Sequence, residues 1–176
     1  PEVMIPSDET GKLMVNEPYF DPDVWIMDGQ YYGLNGRSSH QSPLIMKSEN
    51  LKDWEHIGEL LHPEFNEEKL GVKKEEDISC PNFFKLGDKW ILTCISHRLG
   101  CRYFIGEFKD EQYLPEYHAV IGGNSRRYFA PESLRTPDGR RVNWSWFING
   151  NGRDHRGTQS LPTEMSLGSN GQMCFR

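Results

Sequence analysis

The 176 residues suffice for one substantial core and would be stretched thin across two, so a single folding unit or a piece of one is expected. A net charge of −6 argues against polyanionic partners, because phosphate backbones are gripped by clustered Lys and Arg; no nucleic acid is expected. No run approaches the ~18 apolar residues of a membrane span and no apolar targeting segment opens the chain, so no membrane partner is expected either.

Helical periodicity is scarce. The best candidate, 64–73, is short and polar, whereas brief aromatic and β-branched runs between Gly, Asp, Asn and Pro recur throughout, which predicts a nearly all-β chain. Three stretches align on proline. Asp21-Pro22-Asp23-Val24-Trp25-Ile26-Met27 turns at Asp28-Gly29 and returns from Gln30 to Leu34. Cys80-Pro81-Asn82-Phe83-Phe84-Lys85-Leu86 turns at Gly87-Asp88 and returns from Lys89 to Cys94. Ala130-Pro131-Glu132-Ser133-Leu134-Arg135-Thr136 turns at Pro137-Asp138-Gly139 and returns from Arg140 to Trp146. Each reads as a hairpin with a tight Asp/Gly turn, its proline at the strand start, where a missing donor is tolerated.

The prolines lie 59 and 50 residues apart, a period that suits radially repeated four-stranded blades. Further strands are expected at Leu44 to Met46 with Trp54 to Ile57, at Tyr103 to Phe108, and from Ser160 onward. The fold class is therefore all-β, a β-propeller of about three blades, with repeats near 19–62, 77–118 and 127–176 forming one partial domain over 1–176. A closed propeller needs at least four blades. The expectation is the downstream part of a longer propeller, its exposed edges covered by missing N-terminal blades or by self-association.

Four cysteines, Cys80, Cys94, Cys101 and Cys174, include no C-x-x-C pair, so structural zinc has little support. Cys80 and Cys94 sit in apolar runs, where buried free thiols are the commonest outcome; the spacing demands no disulfide, and the compartment stays open. His97, His118 and His155 lack metal-ligand spacing.

Blades begin at the central axis, so residues just ahead of each first strand converge on the channel mouth. Asp21, the Glu75-Glu76-Asp77 group and Glu132 occupy that place in three successive repeats. Converging carboxyls suit glycosidic bond cleavage, where one group protonates the leaving oxygen and a second attacks or activates water. A turn-forming or capping role is the alternative for each acid taken alone.

These stretches resemble glycoside hydrolase family 32, the invertases, levanases and inulinases. Phe20-Asp21-Pro22 is similar to that family's Arg-Asp-Pro, Glu49-Asn50-Leu51-Lys52-Asp53-Trp54 to its Ser-x-Asp-Leu-x-x-Trp, and Ser79-Cys80-Pro81-Asn82 to its Glu-Cys-Pro-Asp. Tyr128-Phe129-Ala130-Pro131-Glu132 looks like its Phe-Tyr-Ala segment, and Arg156-Gly157-Thr158-Gln159-Ser160-Leu161-Pro162-Thr163-Glu164 like its Arg-Gly-x-x-Ser-Leu-Pro-Arg-Glu closure. The resemblance implies part of a five-bladed propeller acting on β-fructofuranosides, with no metal or organic cofactor. It makes Asp21 a transition-state stabiliser and hydroxyl ligand.

Three departures accompany it. The Asn-Asp-Pro-Asn-Gly segment that carries the family nucleophile is missing, Phe20 replaces the Arg, and Ser79 replaces the general-acid Glu. A hydroxyl cannot usefully protonate a leaving alkoxide near neutral pH, so the acid must be rehoused or lost. Asp77 points to the same face as Ser79, about 7 Å back along an extended strand, and a bulge would also turn Glu76 inward. Glu76 or Asp77 is expected as the acid, with Glu132 a further candidate. Glu132, Trp25, Ser79 and Arg156 are expected to bind substrate. The competing reading is a carbohydrate-binding propeller without catalysis.

Overall fold

The computed structural model describes residues 21–36, 42–122, 127–148 and 157–176. Three antiparallel sheets succeed one another. The first runs β1 (Asp23–Met27), β2 (Gln30–Asn35), β3 (Leu44–Ser48) and β4 (Glu55–Glu59). The second runs β5 (Ser79–Leu86), β6 (Lys89–Ser96), β7 (Gly100–Lys109) and β8 (Gln112–Val120).

In the third sheet β9 (Tyr128–Arg135) pairs with β10 (Arg141–Ile148), whose other edge takes β11 (Gly157–Gln159) at one end and β12 (Thr163–Leu167) at the other, before β13 (Met173–Phe175). The Ser160 N–H donates to the Ser145 carbonyl at 2.8 Å across the gap, so β11 and β12 act as one strand interrupted near Pro162. All three sheets are thus four-stranded meanders, the blade pattern expected of a propeller.

The three hairpin turns fall where the Asp/Gly pairs stand. Between β1 and β2, Asp28 at φ 51° and Gly29 at φ 80° supply the two left-handed residues whose twist matches the flanking strands. The helix candidate shrinks to one turn, α1 (Glu67–Leu70), started by Asn66 accepting from the Lys69 N–H at 2.9 Å and stopped by left-handed Gly71.

The middle sheet is covered on both faces. Phe83, Leu92, Cys94 and Phe104 join Tyr32, Leu34 and Ile45 in one core, while Phe84, Ile91, Tyr103 and Ile105 join Met165 and Met173 in another. That is why β5 to β7 read as near-continuous apolar runs, whereas β1 alternates. The outer faces of the end sheets stay open, with Ile26 67% exposed on one and Leu134 48% on the other.

Aromatic edges lock the first interface. Phe83 stacks on Trp90 at 4.8 Å between centroids and meets Trp25 edge-on at 5.1 Å, contacts worth about 0.5–1.5 kcal/mol each beyond burial. Glycine is required at Gly106, where a Cβ would stand 2.2 Å from the Leu114 carbonyl oxygen, because a bulge in β8 brings the two backbones together.

Candidate functional site

The residues ahead of the three prolines share one unusual backbone state: φ is 45° at Asp21, 46° at Cys80 and 44° at Ala130. None is glycine, so each holds strain of about 1–3 kcal/mol. In the second and third sheets the strain coincides with a bulge, Cys80-Pro81 standing opposite Cys94 and Ala130-Pro131 opposite Ser145. The missing proline donor makes the ladder easy to break there, and the extra residue re-aims its neighbours.

The residue after each proline then reaches the next sheet. Asp23 Oδ2 accepts from the Phe83 N–H at 2.5 Å, and its Oδ1 from Asn82 Nδ2 at 3.3 Å. Asn82 Oδ1 in turn accepts from the Ser133 N–H at 3.1 Å and from the Ser133 hydroxyl. In both steps the side chain following one proline caps the N–H two residues past the next proline. Glu132 is the third member of this series, on the face that also carries Leu134.

Arg141 ties the second step together. Its Nη2 donates to Asn82 Oδ1 at 3.3 Å and to the Ser133 carbonyl at 3.2 Å, Nε donates to Ser133 Oγ at 2.8 Å, and the guanidinium lies 3.8 Å from the Phe84 ring centroid. Burial lowers its pKa to about 10, against the pull of Asp23 and Glu132.

Asp21 and Glu132 come together here. Asp21 Oδ2 accepts from the Cys80 N–H at 3.3 Å and faces the Cys80 thiol at 3.4 Å. Burial first, then the Asp21 and Glu132 carboxylates, push the thiol up to about 12, so it stays protonated and donates to Asp21. Glu132 is exposed as a residue, yet the protein crowded around its carboxyl, and then its neighbours Asp23 and Asp21, raise it to about 7 and outweigh Arg141. Asp23 is raised as well, chiefly by burial.

The acids of the β5 lead-in are committed differently. Glu76 accepts from Ser96 Oγ at 2.5 Å and from Arg98 through Nε at 3.0 Å and through Nη2; Arg98 and Ser96 outweigh burial and hold its carboxyl below the usual range. Asp77 accepts from Ser79 Oγ at 2.7 Å and the His97 N–H at 3.0 Å, with the His97 ring at 2.5 Å. Fully buried Arg102 donates to the backbone carbonyls of Glu76 and Asp77, fixing the segment that presents them. Asp77 and Asp21 are thereby linked through the consecutive residues Ser79 and Cys80.

Two substrate-binding expectations shift. Trp25 lies among Tyr32, Phe83, Trp90 and Phe108, because strand alternation turns it with Asp23 toward the second sheet; its ring is spent on packing. Ser79 is 1% exposed and donates to Asp77, so it can act on a ligand only through that carboxylate. Arg156 and Phe20 lie outside the described residues. Sequence reasoning overlooked Asn82, Ser133 and Arg141, although the recurrence after each proline was there to be aligned. Among the described residues no group of three or more His, Cys, Asp and Glu is placed to hold a metal ion.

Known proteins resemble this chain. Sucrose-6-phosphate hydrolases of Klebsiella pneumoniae and Salmonella typhimurium are 25% identical over 164 residues and 28% over 172; each match covers 83% of this chain and 33% of the relative. The chain thus spans about a third of the length of these relatives. A Bombyx mori family 32 β-fructofuranosidase variant in complex with sucrose superposes with a TM-score of 0.69 at 20% identity, over 88% of this chain and 36% of that one. This likeness shows the fold, part of a β-propeller. The family description "Glycosyl hydrolases family 32 N-terminal domain" matches residues 3–175, and the chain belongs to that family.

Proposed function

We propose that this domain belongs to a glycosidase that cleaves β-fructofuranosidic linkages, with Asp21 and Glu132 at the reacting centre. The observation that carries the reading is a carboxyl raised to about 7, Glu132, at the bulge of β9, with a second carboxyl, Asp21, from the lead-in of β1 acting on it. An acid that keeps its proton near neutral pH, set beside a second carboxyl group, is what proton donation to a leaving oxygen requires.

Asp21, seated on the Cys80 N–H and thiol, binds sugar hydroxyls and stabilises the positive charge that develops on the ring. Glu132 keeps its proton near neutral pH and gives it to the departing oxygen. Glu76, ion-paired with Arg98, is a poor donor at that pH. Asp77, buttressed by Ser79 and His97, contributes a hydroxyl contact. Attack on the anomeric carbon falls to a carboxylate outside the described residues. The relatives' names, sucrose-6-phosphate hydrolases, support a sucrose-type linkage.

The protein is incubated with sucrose, sucrose 6-phosphate, inulin and levan, and released reducing sugar is measured beside a binding titration. Asp21→Asn is expected to cut turnover by orders of magnitude while the fold survives. An unchanged rate would remove Asp21 from the mechanism. The second reading, sugar binding without cleavage, is favoured by serine at position 79 and would be upheld by binding with no product.

A further inference from the structure

A cavity of about 510 Å³, within the range of small-molecule sites, opens between the end of the second sheet and the β10–β11 side of the third. Its walls include Asn143, Ser145, Ser160, Tyr128, Phe147 and Phe175. Along β10, Asn143, Ser145 and Phe147 share one face, and Trp144, which pairs with Glu132, lies on the other. None of Asp21, Glu76, Asp77 or Glu132 lines the cavity, so it is separate from the carboxylate centre.

One polar atom there is unanswered. Asn143 is only 3% exposed, and its amide nitrogen reaches Ser145 Oγ at a long 3.4 Å, while Oδ1 has no hydrogen-bond partner. A buried acceptor without a donor is costly, and a small turn of the Asn143 amide toward the cavity would let a bound hydroxyl relieve it. The nearby hydroxyls are largely engaged: Ser160 Oγ accepts from the Ser145 N–H at 2.9 Å and donates to the Leu161 carbonyl at 3.0 Å. Tyr128 and Phe147 meet edge-on at 5.3 Å and give the cavity an aromatic wall.

No charged side chain is among the lining residues. A ligand suited to this lining is neutral, offers at least one O–H to Asn143, and presents an apolar face to the rings. We infer that the cavity is a secondary binding site for a neutral sugar ring, held by a hydroxyl donated to Asn143 Oδ1 and by stacking on the aromatic wall. It does not rest on the glycosidase reading, since it uses none of that centre's residues.

The test titrates D-glucose and D-fructose separately into the chain, followed by calorimetry and by the Asn143 side-chain amide signals in heteronuclear NMR. The Asn143 signals are expected to shift on titration, equally in Asp21→Asn. Asn143→Leu is expected to weaken that binding about tenfold, the loss of one buried hydrogen bond. Should Asn143→Leu fail to fold, Phe147→Leu decides by the same titration, since it removes the ring and keeps the amide. Unmoved Asn143 signals at saturating sugar, or affinity unaltered in the variant that folds, would overturn the site and leave a cavity filled by water. Loss of turnover in Asp21→Asn with sugar binding intact would separate this site from the reacting centre.

Discussion

Asn82→Ala should be among the costliest single changes in the chain for stability. Asn82 is 5% exposed and bonds both neighbouring sheets: Oδ1 accepts from the Ser133 N–H, the Ser133 hydroxyl and Arg141, while Nδ2 donates to Asp23. Truncation strands the Ser133 N–H, at about 1 kcal/mol, and removes one acceptor from the Arg141 cation, at about 1.5 kcal/mol because Ser133 still supplies two others. It also takes away one of the donors that compensate the Asp23 carboxylate, beside the Phe83 and Val24 N–H groups, roughly another 0.5–1 kcal/mol. The sum is about 3 kcal/mol, a sizeable share of the ~5–15 kcal/mol that holds a domain folded. At ~2–4 °C per kcal/mol for a chain of this size, Tm should drop by roughly 6–12 °C. Urea titration is the assay, with a lower midpoint at an unchanged slope. A double-mutant cycle with Asp23→Ala should show coupling, since the two side chains touch. A loss below about 1 kcal/mol, or strict additivity in the cycle, would show that the relay between sheets carries no weight.

Two further outcomes follow from local geometry. Gly106→Ala puts a methyl 2.2 Å from the Leu114 carbonyl oxygen, so thermal unfolding should come several degrees earlier, although alanine is ordinarily the better residue inside a strand; a raised Tm would refute the close approach. His118, its ring 4.7 Å from Phe104 and one nitrogen buried without a partner, has its pKa lowered to about 4, chiefly by burial and then by Arg102. A depressed histidine contributes stability that is full above pH 6.5 and is lost as pH falls toward 4, opposite in sign to the Glu132 contribution over the same window. The readout is therefore the difference: wild type should lose Tm relative to His118→Gln as pH falls from 6.5 to 4.

The hairpins were legible because Asp28-Gly29, Gly87-Asp88 and Pro137-Asp138-Gly139 carry their turn chemistry locally, and the propeller because the three prolines mark equivalent strand starts. Strand β8 escaped notice for the same kind of reason: Pro115 argues against a strand, yet β8 is the outer strand of its sheet and accommodates the proline beside a bulge. Asp21 and Glu132 could be marked as acids ahead of strands. What they face could not, because a bulge changes which way neighbouring side chains point without leaving a trace in alternation. Asn82, Ser133 and Arg141 were missed since they bond between sheets, and no single strand's pattern shows a partner some fifty residues away. Trp25 misled because an aromatic beside a site looks like a sugar platform, while the rings that surround it come from four other strands.

Glu132 occupies a position that the fold otherwise uses for fastening one sheet to the next, but no further sheet follows the third among the described residues. The charged groups that act on its carboxyl are instead Asp23, Asp21 and Arg141. The consequence is a carboxyl whose folded pKa, about 7, lies above its ordinary 4.5. The folded state then holds more protons than the unfolded one between those values, and the sign of linkage makes stability fall as pH rises from about 4.5 to about 7. Glu132→Gln should abolish that fall, raising Tm at pH 7 relative to wild type while leaving the two alike near pH 4. In turnover the same variant should lose the limb of the pH profile that declines above about 7, together with most of the rate. Glu132→Asp, one methylene shorter, should draw the carboxyl back from its acidic neighbours and move the decline to lower pH. A Tm profile identical in wild type and Glu132→Gln between pH 4 and 7 would mean that Glu132 titrates as an ordinary acid, and the proton donor would have to be sought at Asp77.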